Sequence, residues 1–235
     1  ASGNRRFTEG GRVGPSIKMS ILTDDGPGSL RDAVLSEGPR TVVFDISGVI
    51  NLISKHVIRK GNKYLTVAGQ TAPGKGICVH GYTFGMIGGE HVILRFIRTR
   101  VGTSSGKTMD GMGITGSKGP NIYDHCSISW TIDEAFSSRG TGEANFTLQR
   151  TMIAEALNQA GHKKYGPNSQ HGFAASIGGE IGSFHHNLLA HNAGRNWSLA
   201  GSLYHGTRKY AGKLNIRNNV VYNWGHPSTN VKAYQ

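Results

Sequence analysis

Short runs of alternating apolar and polar residues follow one another along almost the whole chain. Each run is rich in β-branched or aromatic residues, and clusters of Gly, Asn, Pro or Lys separate the runs. This pattern is typical of β-strands joined by tight turns. The main runs lie at 41–52, 64–70, 76–82, 91–101, 121–130, 145–153, 181–192 and 214–224.

Helical periodicity is almost absent, and the main exception is GSLRDAVLSEG at 28–38. Ser29 stands where an N-cap is expected, and Asp32 follows three positions later, as in a capping box. The segment predicts one short helix near the start of the chain.

The later strand runs resemble one another. DHCSIS, QRTMIA, HHNLLA and RNNVVY each place polar residues just ahead of apolar ones, and they recur at intervals of roughly 24 to 36 residues. A β-sandwich would show turns at shorter intervals and no such similarity between successive segments. The repeats therefore predict a parallel β-solenoid, in which Asn187 and Asn219 form an inward stack at a bend and the helix at 28–38 caps the core.

Composition fits this architecture. The chain has 235 residues, which suits one domain (1–235), and it contains 35 glycines, many more than a helical bundle needs. No stretch approaches the roughly 20 apolar residues of a membrane-spanning helix. Cys78 and Cys126 are the only cysteines; they can form one disulfide, but their apolar neighbours favour two buried free thiols on strands.

A formal net charge of +12 indicates an anionic partner. Nucleic acid, an anionic membrane and an acidic polysaccharide all satisfy this condition. The chain has neither a long Lys/Arg run nor a zinc-finger or RNA-binding motif, which disfavours nucleic acid. Charge by itself does not choose among these partners.

Several segments together resemble the shorter bacterial and fungal pectate lyases of polysaccharide lyase family 1. They are DDGPGSLRDAV (24–34), TVVFDISGVINL (41–52), LTVAGQTAPGKGI (65–77), IYDHCSISWTIDE (122–134), SFHHNLLAHNAGRN (183–196) and RNNVVYNWG (217–225). The resemblance implies an all-β, right-handed parallel β-helix. It also implies calcium-assisted β-elimination of pectate or a related polyuronate by a secreted protein, either extracellular or periplasmic, that acts as a monomer without nucleic acid or membrane partners.

By the same resemblance, Asp124 in YDHCS and Asp133 in TIDEA are expected to bind Ca²⁺, with Glu134 as a support. Calcium prefers several oxygen ligands, which carboxylates supply. The alternative is two solvated loop carboxylates. This chain has Ser129 where longer relatives carry a further aspartate, which predicts weak calcium binding or binding only together with a uronate.

Arg195, in HNAGRN, matches the catalytic arginine and is expected to be the base. A guanidinium has an ordinary pKa above 12, so this role predicts activity at alkaline pH. The alternative is an arginine that only binds substrate carboxylates.

Three further residues are expected to bind substrate. Lys164, chosen over its neighbour Lys163, lies in GHKKYG, and His171 lies in QHGF. Trp197 stands in Asn196-Trp197-Ser198, where related enzymes carry Pro-Arg, and is expected either to stack on a sugar ring or to pack in the core. His171 is otherwise a structural histidine, and Lys164 an exposed lysine without a role.

Three functions therefore compete: a polysaccharide lyase, a non-catalytic β-helix that binds acidic polysaccharide, and a basic surface that binds nucleic acid or lipopolysaccharide. The chain opens at ASGNRRF and ends at HPSTNVKAYQ. The first segment is what a processed or trimmed chain is expected to show. The last segment is expected either of a fragment or of a chain whose last coil is covered by a partner.

Overall fold

The computed structural model describes residues 8–138, 144–166, 168–199, 213–225 and 232–233. The opening and closing segments singled out above lie largely outside these residues. Within them the chain winds as a parallel β-solenoid, and every strand pairs with the equivalent strand of the next coil. The predicted all-β parallel β-helix is confirmed.

Three parallel sheets run the length of the solenoid. The first sheet contains β1 Ser16–Met19, β2 Arg40–Phe44, β5 Leu65–Ala68, β8 Val92–Arg95, β11 Asn121–Asp124, β14 Ala144–Gln149, β17 Ile181–His185 and β20 Lys213–Arg217. The second contains β3 Gly48–Asn51, β6 Ile77–His80, β9 Ile97–Arg100, β12 Ser127–Ser129, β15 Met152–Ala154, β18 Leu188–Ala190 and β21 Val220–Tyr222. The third contains β4 His56–Ile58, β7 Phe84–Ile87, β10 Met112–Ile114, β13 Phe136–Ser138, β16 Ala175–Ile177, β19 Ser198–Leu199 and β22 Lys232–Ala233.

Side-chain alternation builds the core. In β2, for example, Val42 and Phe44 point inward and are buried, whereas the alternate residues Thr41 and Val43 are partly exposed. The inward side chains of successive coils form one hydrophobic cluster that extends from Met19 to Trp197. Stacking equivalent strands about 4.8 Å apart buries this face continuously, which no single coil can do alone.

The bend from the first sheet to the second repeats in five successive coils. The residue after the strand adopts a left-handed backbone, with φ between 47° and 57°, at Phe96, His125, Arg150, His186 and Asn218. Asn and His tolerate this region better than most residues. The repeated conformation turns the chain at the same point in each of these five coils.

An asparagine ladder stabilises the same bend, as the sequence predicted. The Asn187 backbone N–H and its Nδ2 both donate to Asn219 Oδ1 at 3.0 Å, while Asn187 Oδ1 accepts from the Thr151 N–H. Asn187 Nδ2 also donates to the Leu148 carbonyl. Each amide satisfies backbone groups of a neighbouring coil at a bend where strand pairing is interrupted.

The short helix is α1, Leu30–Leu35, and it begins where the sequence predicted. Ser29 is its N-cap, and the Ser29 Oγ accepts a hydrogen bond from the Asp32 N–H at 3.1 Å. Leu30 and Val34 are buried, and the helix packs on β1, β2 and β4. It therefore covers the first coil. The second helical element is a 3₁₀ turn, Gly69–Thr71.

Both cysteines are free, as expected. Cys126 is buried, but Cys78 is only partly buried, because it lies on the outward face of β6. Among the helices of the described ranges, none has the length and apolar character needed to cross a membrane.

Asn187→Ala is expected to lower the free energy of unfolding by about 3 kcal/mol or more, because it leaves buried backbone groups without partners. Urea unfolding followed by circular dichroism measures this. Asn215→Ala, an exposed position on β20, is the control and should change stability by less than about 0.5 kcal/mol. Equal losses in the two variants would contradict a structural role for the ladder.

Candidate functional site

The turns that lead from the second sheet to the third converge at one place. The Asp133 N–H donates to the Met109 carbonyl, the Ala135 N–H to Phe173 and the Ala174 N–H to Gly194. Four successive coils are thus hydrogen-bonded to one another at this turn. We call the resulting group of side chains the Arg195 corner; its members are Asp110, Asp133, Glu134, His162, His171, Ser176 and Arg195.

Arg195 lies in the turn between β18 and β19 with a left-handed backbone, φ 53°. Its carbonyl accepts from the Ala175 N–H at 3.0 Å, which fixes the turn against the preceding coil. The guanidinium donates to Glu134 Oε1 and to Ser176 Oγ, and it lies 4.0 Å above the centre of the Phe173 ring. Its side chain is still 31% exposed, so a ligand can reach the charge.

Glu134 is buried, with 1% of its surface exposed. Its Oε1 accepts hydrogen bonds from Arg195 and from Ser176 Oγ, the latter at 2.8 Å. A buried carboxylate is stable only when it is paired and hydrogen-bonded. Glu134 therefore holds the guanidinium in position beside the acidic part of the corner.

Two further carboxylates lie next to this ion pair and form a cluster of three with Glu134. Oxygen atoms of Asp110, Asp133 and Glu134 all lie within 4.8 Å of one another. Carboxylates this close repel one another unless a cation compensates them. An all-oxygen set of this kind is what Ca²⁺ binds, so the residues present fit calcium.

Asp133 is also shared with two histidines. His171 Nε2 lies 2.8 Å from Asp133 Oδ1, and His162 Nε2 lies 3.7 Å from Asp133 Oδ2. His162 Nδ1 accepts from the Lys164 N–H at 3.2 Å, which leaves the proton of a neutral imidazole on Nε2, facing Asp133. The His171 contact therefore fixes one oxygen of Asp133, while His162 faces the other.

Aromatic rings form a wall at the corner. The His162 ring stacks 4.6 Å from Tyr165, and the His171 ring lies 4.1 Å from Phe173, measured between centroids. Lys164 is exposed, with its Nζ 5.2 Å from the centre of the Tyr165 ring. Two of the expected substrate-binding residues, Lys164 and His171, therefore lie at or beside the Arg195 corner.

Asp124 lies elsewhere. It ends β11, at the bend from the first sheet to the second, whereas Asp133 follows β12 at the next bend. Its carboxylate accepts from Arg95 Nε and Gln149 Nε2, each at 2.9 Å, and lies 2.7 Å from His125 Nδ1. Burial by itself would raise the pKa of Asp124, but these hydrogen bonds and the His125 charge lower it below the usual value.

Asp124 and Asp133 are thus not part of one cluster. Among the described residues, Asp133 belongs to groups of side chains that could hold a metal ion, and Asp124 does not. The role of Asp124 as a calcium ligand stays a prediction. Its contacts with Arg95, His125 and Arg150 favour a structural role in ion pairing.

Trp197 is buried, with 6% of its surface exposed, and its ring lies 5.4 Å from Phe184 in the hydrophobic core. A ring in this position offers no open face to a sugar. Of the two expected roles, the geometry favours packing.

Sequence reasoning did not identify Asp110 and His162. Asp110 lies in TMDGMG, without apolar periodicity or a recognisable spacing to Asp133. His162 stands next to the lysines that were considered, and only its residue type could have indicated a candidate ligand. Glu134 was recognised only as a support for its neighbour, because its partner Arg195 lies 61 positions away.

Trp197→Ala is expected to lower the free energy of unfolding by about 3 to 5 kcal/mol, as large-to-small changes in a packed core do. Denaturant titration measures this. Trp224→Ala, at a half-exposed position, is the matched control, with an expected loss below about 1 kcal/mol. Unchanged stability in Trp197→Ala together with weaker sugar binding would restore the stacking role.

Comparison with known proteins adds sequence relatives. No protein-family model matches the chain. Probable pectate lyase C of Emericella nidulans is 41% identical over 217 residues, and the proteins of the same name from Aspergillus flavus and Aspergillus oryzae are 38% identical over 216 residues. These matches cover 92% of this chain and 45% of each relative, so the chain spans less than half the length of the curated relatives it matches.

Among solved structures, Jun a 1, the major allergen from cedar pollen, aligns with 80% of this chain and 61% of its own, with a TM-score of 0.45 and 16% identity. The sequence matches establish the kinship. The chain is homologous to the fungal proteins named pectate lyase C over nearly its whole length, and the resemblance to pectate lyases inferred from its motifs is confirmed.

Proposed function

We propose that the protein is a polysaccharide lyase that cleaves polygalacturonate or a related polyuronate by β-elimination at the Arg195 corner. The observation that carries this proposal is the accessible guanidinium of Arg195, held by Glu134, whose carboxylate clusters with those of Asp110 and Asp133. Homology to proteins named pectate lyase C supports the same reaction.

The reaction has simple requirements. A base removes the C5 proton of a uronate, the electron pair forms the C4–C5 double bond, and the C4–O4 bond breaks as O4 takes up a proton. The C5 proton is acidic only when the charge of the neighbouring carboxylate is neutralised. A suitable site therefore needs cations beside the carboxylate and a base beside C5.

Asp110, Asp133 and Glu134 would hold calcium in this proposal. Bound there, Ca²⁺ would supply positive charge for the substrate carboxylate. His171 orients Asp133 through its 2.8 Å contact, and His162 lies 3.7 Å from the other carboxylate oxygen. Asp124 is the other expected calcium ligand. The calcium experiment below distinguishes a site at Asp124 from a site at Asp133.

Arg195 is proposed as the base, since its partly exposed guanidinium lies beside the carboxylates that would hold calcium. Only the neutral guanidinium can accept a proton, and that form is scarce at neutral pH. The rate is therefore expected to rise with pH. Lys164 is proposed to bind a substrate carboxylate at the edge of the corner, and the net charge of +12 favours approach of a polyanion.

A protein with this function acts on a polymer outside the cell, so we propose a secreted protein, extracellular or periplasmic, that acts as a monomer without nucleic acid or membrane partners.

A non-catalytic binder of acidic polysaccharide is the second candidate. Ser129 and Trp197 stand where relatives are expected to carry an aspartate and an arginine, and the burial of Trp197 prevents it from replacing that arginine at the surface. Retention on polygalacturonate without any cleavage would favour this candidate.

The first test follows ultraviolet absorbance of the unsaturated product from polygalacturonate, with calcium or with a chelator. We expect a calcium-dependent rate that increases from neutral to alkaline pH. Arg195→Ala should lower kcat by about 10²- to 10⁴-fold, the usual contribution of a positioned base.

Two controls make this test specific. Arg195→Lys keeps the positive charge next to Glu134, so a slow but folded variant separates loss of the base from loss of the ion pair. Exposed Lys60, changed to Gln, should leave the rate unchanged. No absorbance change on polygalacturonate, alginate, glucuronan or ulvan would reject the lyase and leave the binder.

The second test measures calcium binding through stability. Free calcium at about 100 times its Kd should stabilise the folded protein by about 2.7 kcal/mol, which raises Tm by several degrees. Asp133→Asn should abolish this response, whereas Asp124→Asn should lower Tm overall and keep the response. Differential scanning calorimetry with calcium, and with magnesium as the ion control, measures both. Loss of the response in Asp124→Asn alone would move the site to that aspartate.

A further inference from the structure

A groove of about 870 Å³ lies on the outer face of the second sheet, away from the turns that form the Arg195 corner. Its main polar and aromatic lining residues are Lys75, Cys78, His80, Arg98, Arg100 and Trp130. The groove and the Arg195 corner share no residue. A volume of this size is in the range of pockets that hold small organic ligands.

Strand alternation places the lining side chains. On β6, Cys78 and His80 face outward while Ile77 and Val79 are buried, and β9 repeats this with Arg98 and Arg100. Cys78 pairs in register with Arg98, and His80 with Arg100. The two arginines, two residues apart on one strand, therefore project from the same face roughly 7 Å apart.

Both arginines donate hydrogen bonds to neutral acceptors. Arg98 Nη2 donates to the Lys75 carbonyl at 2.6 Å, and Arg100 donates to the Ser127 carbonyl and Oγ. The ion pairs among the described residues include neither of them. Burial is the largest effect on the pKa of Arg100 and lowers it; Arg98 also lowers it, while Cys78 and Glu155 offset part of this shift.

Trp130 supplies an aromatic face beside these charges. It is 44% exposed, its ring centre lies 5.8 Å from the Arg100 guanidinium carbon, and its Nε1 donates to Glu155 at 3.2 Å. The hydrogen bond holds the Trp130 indole to the Glu155 carboxylate and leaves the ring partly exposed. An exposed indole next to guanidinium groups suits a ring with an apolar face and an anionic substituent.

We propose that this groove is a second binding site, for an anionic oligosaccharide whose carboxylates contact Arg98 and Arg100 while one sugar ring packs on Trp130. The proposal goes beyond the function proposed above and rests on it only for the choice of a uronate as the probe. Such a site would hold the polymer on the protein while the Arg195 corner acts on another part of it.

Cys78 provides a readout that is independent of cleavage. It lies in the floor of the groove and is partly buried, and burial raises its pKa. Cys126 is buried and has a pKa raised to about 11, so a thiol reagent at mildly alkaline pH should modify Cys78 selectively. A ligand in the groove should slow this modification.

The experiment uses the full chain with a chelator present, which removes calcium, and measures the rate of Cys78 modification at increasing trigalacturonate. We expect saturable protection. Arg98→Gln should weaken it about tenfold, the loss of one charge-assisted hydrogen bond, and Trp130→Ala should weaken it without changing net charge. Lys118 is an exposed cation outside the groove. In Lys118→Gln, trigalacturonate should protect Cys78 as well as it does in the unchanged protein.

Other outcomes overturn the proposal. Equal protection by a neutral galacto-oligosaccharide would remove the role of the arginines, and equal protection by single-stranded DNA would mean general polyanion binding. A thiol that reacts only after unfolding would mean that another segment covers the groove. If Arg98→Gln fails to fold, Trp130→Ala decides. The lyase assay is independent: groove variants should retain cleavage of short substrates, so either proposal can fail while the other stands.

Discussion

The register between successive coils is the constraint on which the rest of the structure depends. Parallel pairing places each strand residue directly over its equivalent in the next coil, about 4.8 Å away, so a position that recurs in every coil becomes a column of side chains. Apolar columns form the core. At the bends, where strand pairing is interrupted, Asn187 and Asn219 satisfy the backbone groups instead. These hydrogen bonds hold the backbone at the bend in register from coil to coil.

Two aspartates illustrate how the same stacking gives opposite electrostatic environments. Asp124 lies in a column with Arg95 on one side and Gln149 on the other, and its charge is compensated by donors in the adjacent coils. Asp133 lies at the next bend, beside Asp110 and Glu134, where carboxylate is added to carboxylate. The first arrangement stabilises a carboxylate within the fold. In the second arrangement the carboxylates repel one another. Arg195 compensates part of this negative charge, and calcium would compensate more of it in the proposed reaction.

The strongly positive charge of the chain is distributed in distinct places. Arg95 and Arg150 surround Asp124, Arg195 is committed to Glu134, and Arg98 and Arg100 face an open groove beside an exposed indole. These arginines therefore play different parts: ion pairing within the fold, the proposed base, and proposed ligand contacts on another face. Net charge indicated an anionic partner, but only the partners of each arginine distinguish these roles.

The sequence by itself determined the architecture, because the coil is a local and repeating unit. Alternation, turn residues and recurring DHCSIS-like segments were enough to predict the parallel β-helix, the Ser29 cap and the asparagine ladder, and the motifs were enough to indicate kinship with pectate lyases. It also placed Arg195, Asp133 and His171 among the candidates. Tertiary structure decided which candidates meet. The turns between the second and third sheets differ in length, so no fixed spacing predicted that Asp110 and His162 join Asp133. The pairing of Glu134 with Arg195 across 61 positions was equally hidden. Only the packed structure showed that cations surround Asp124 and that Trp197 faces the core.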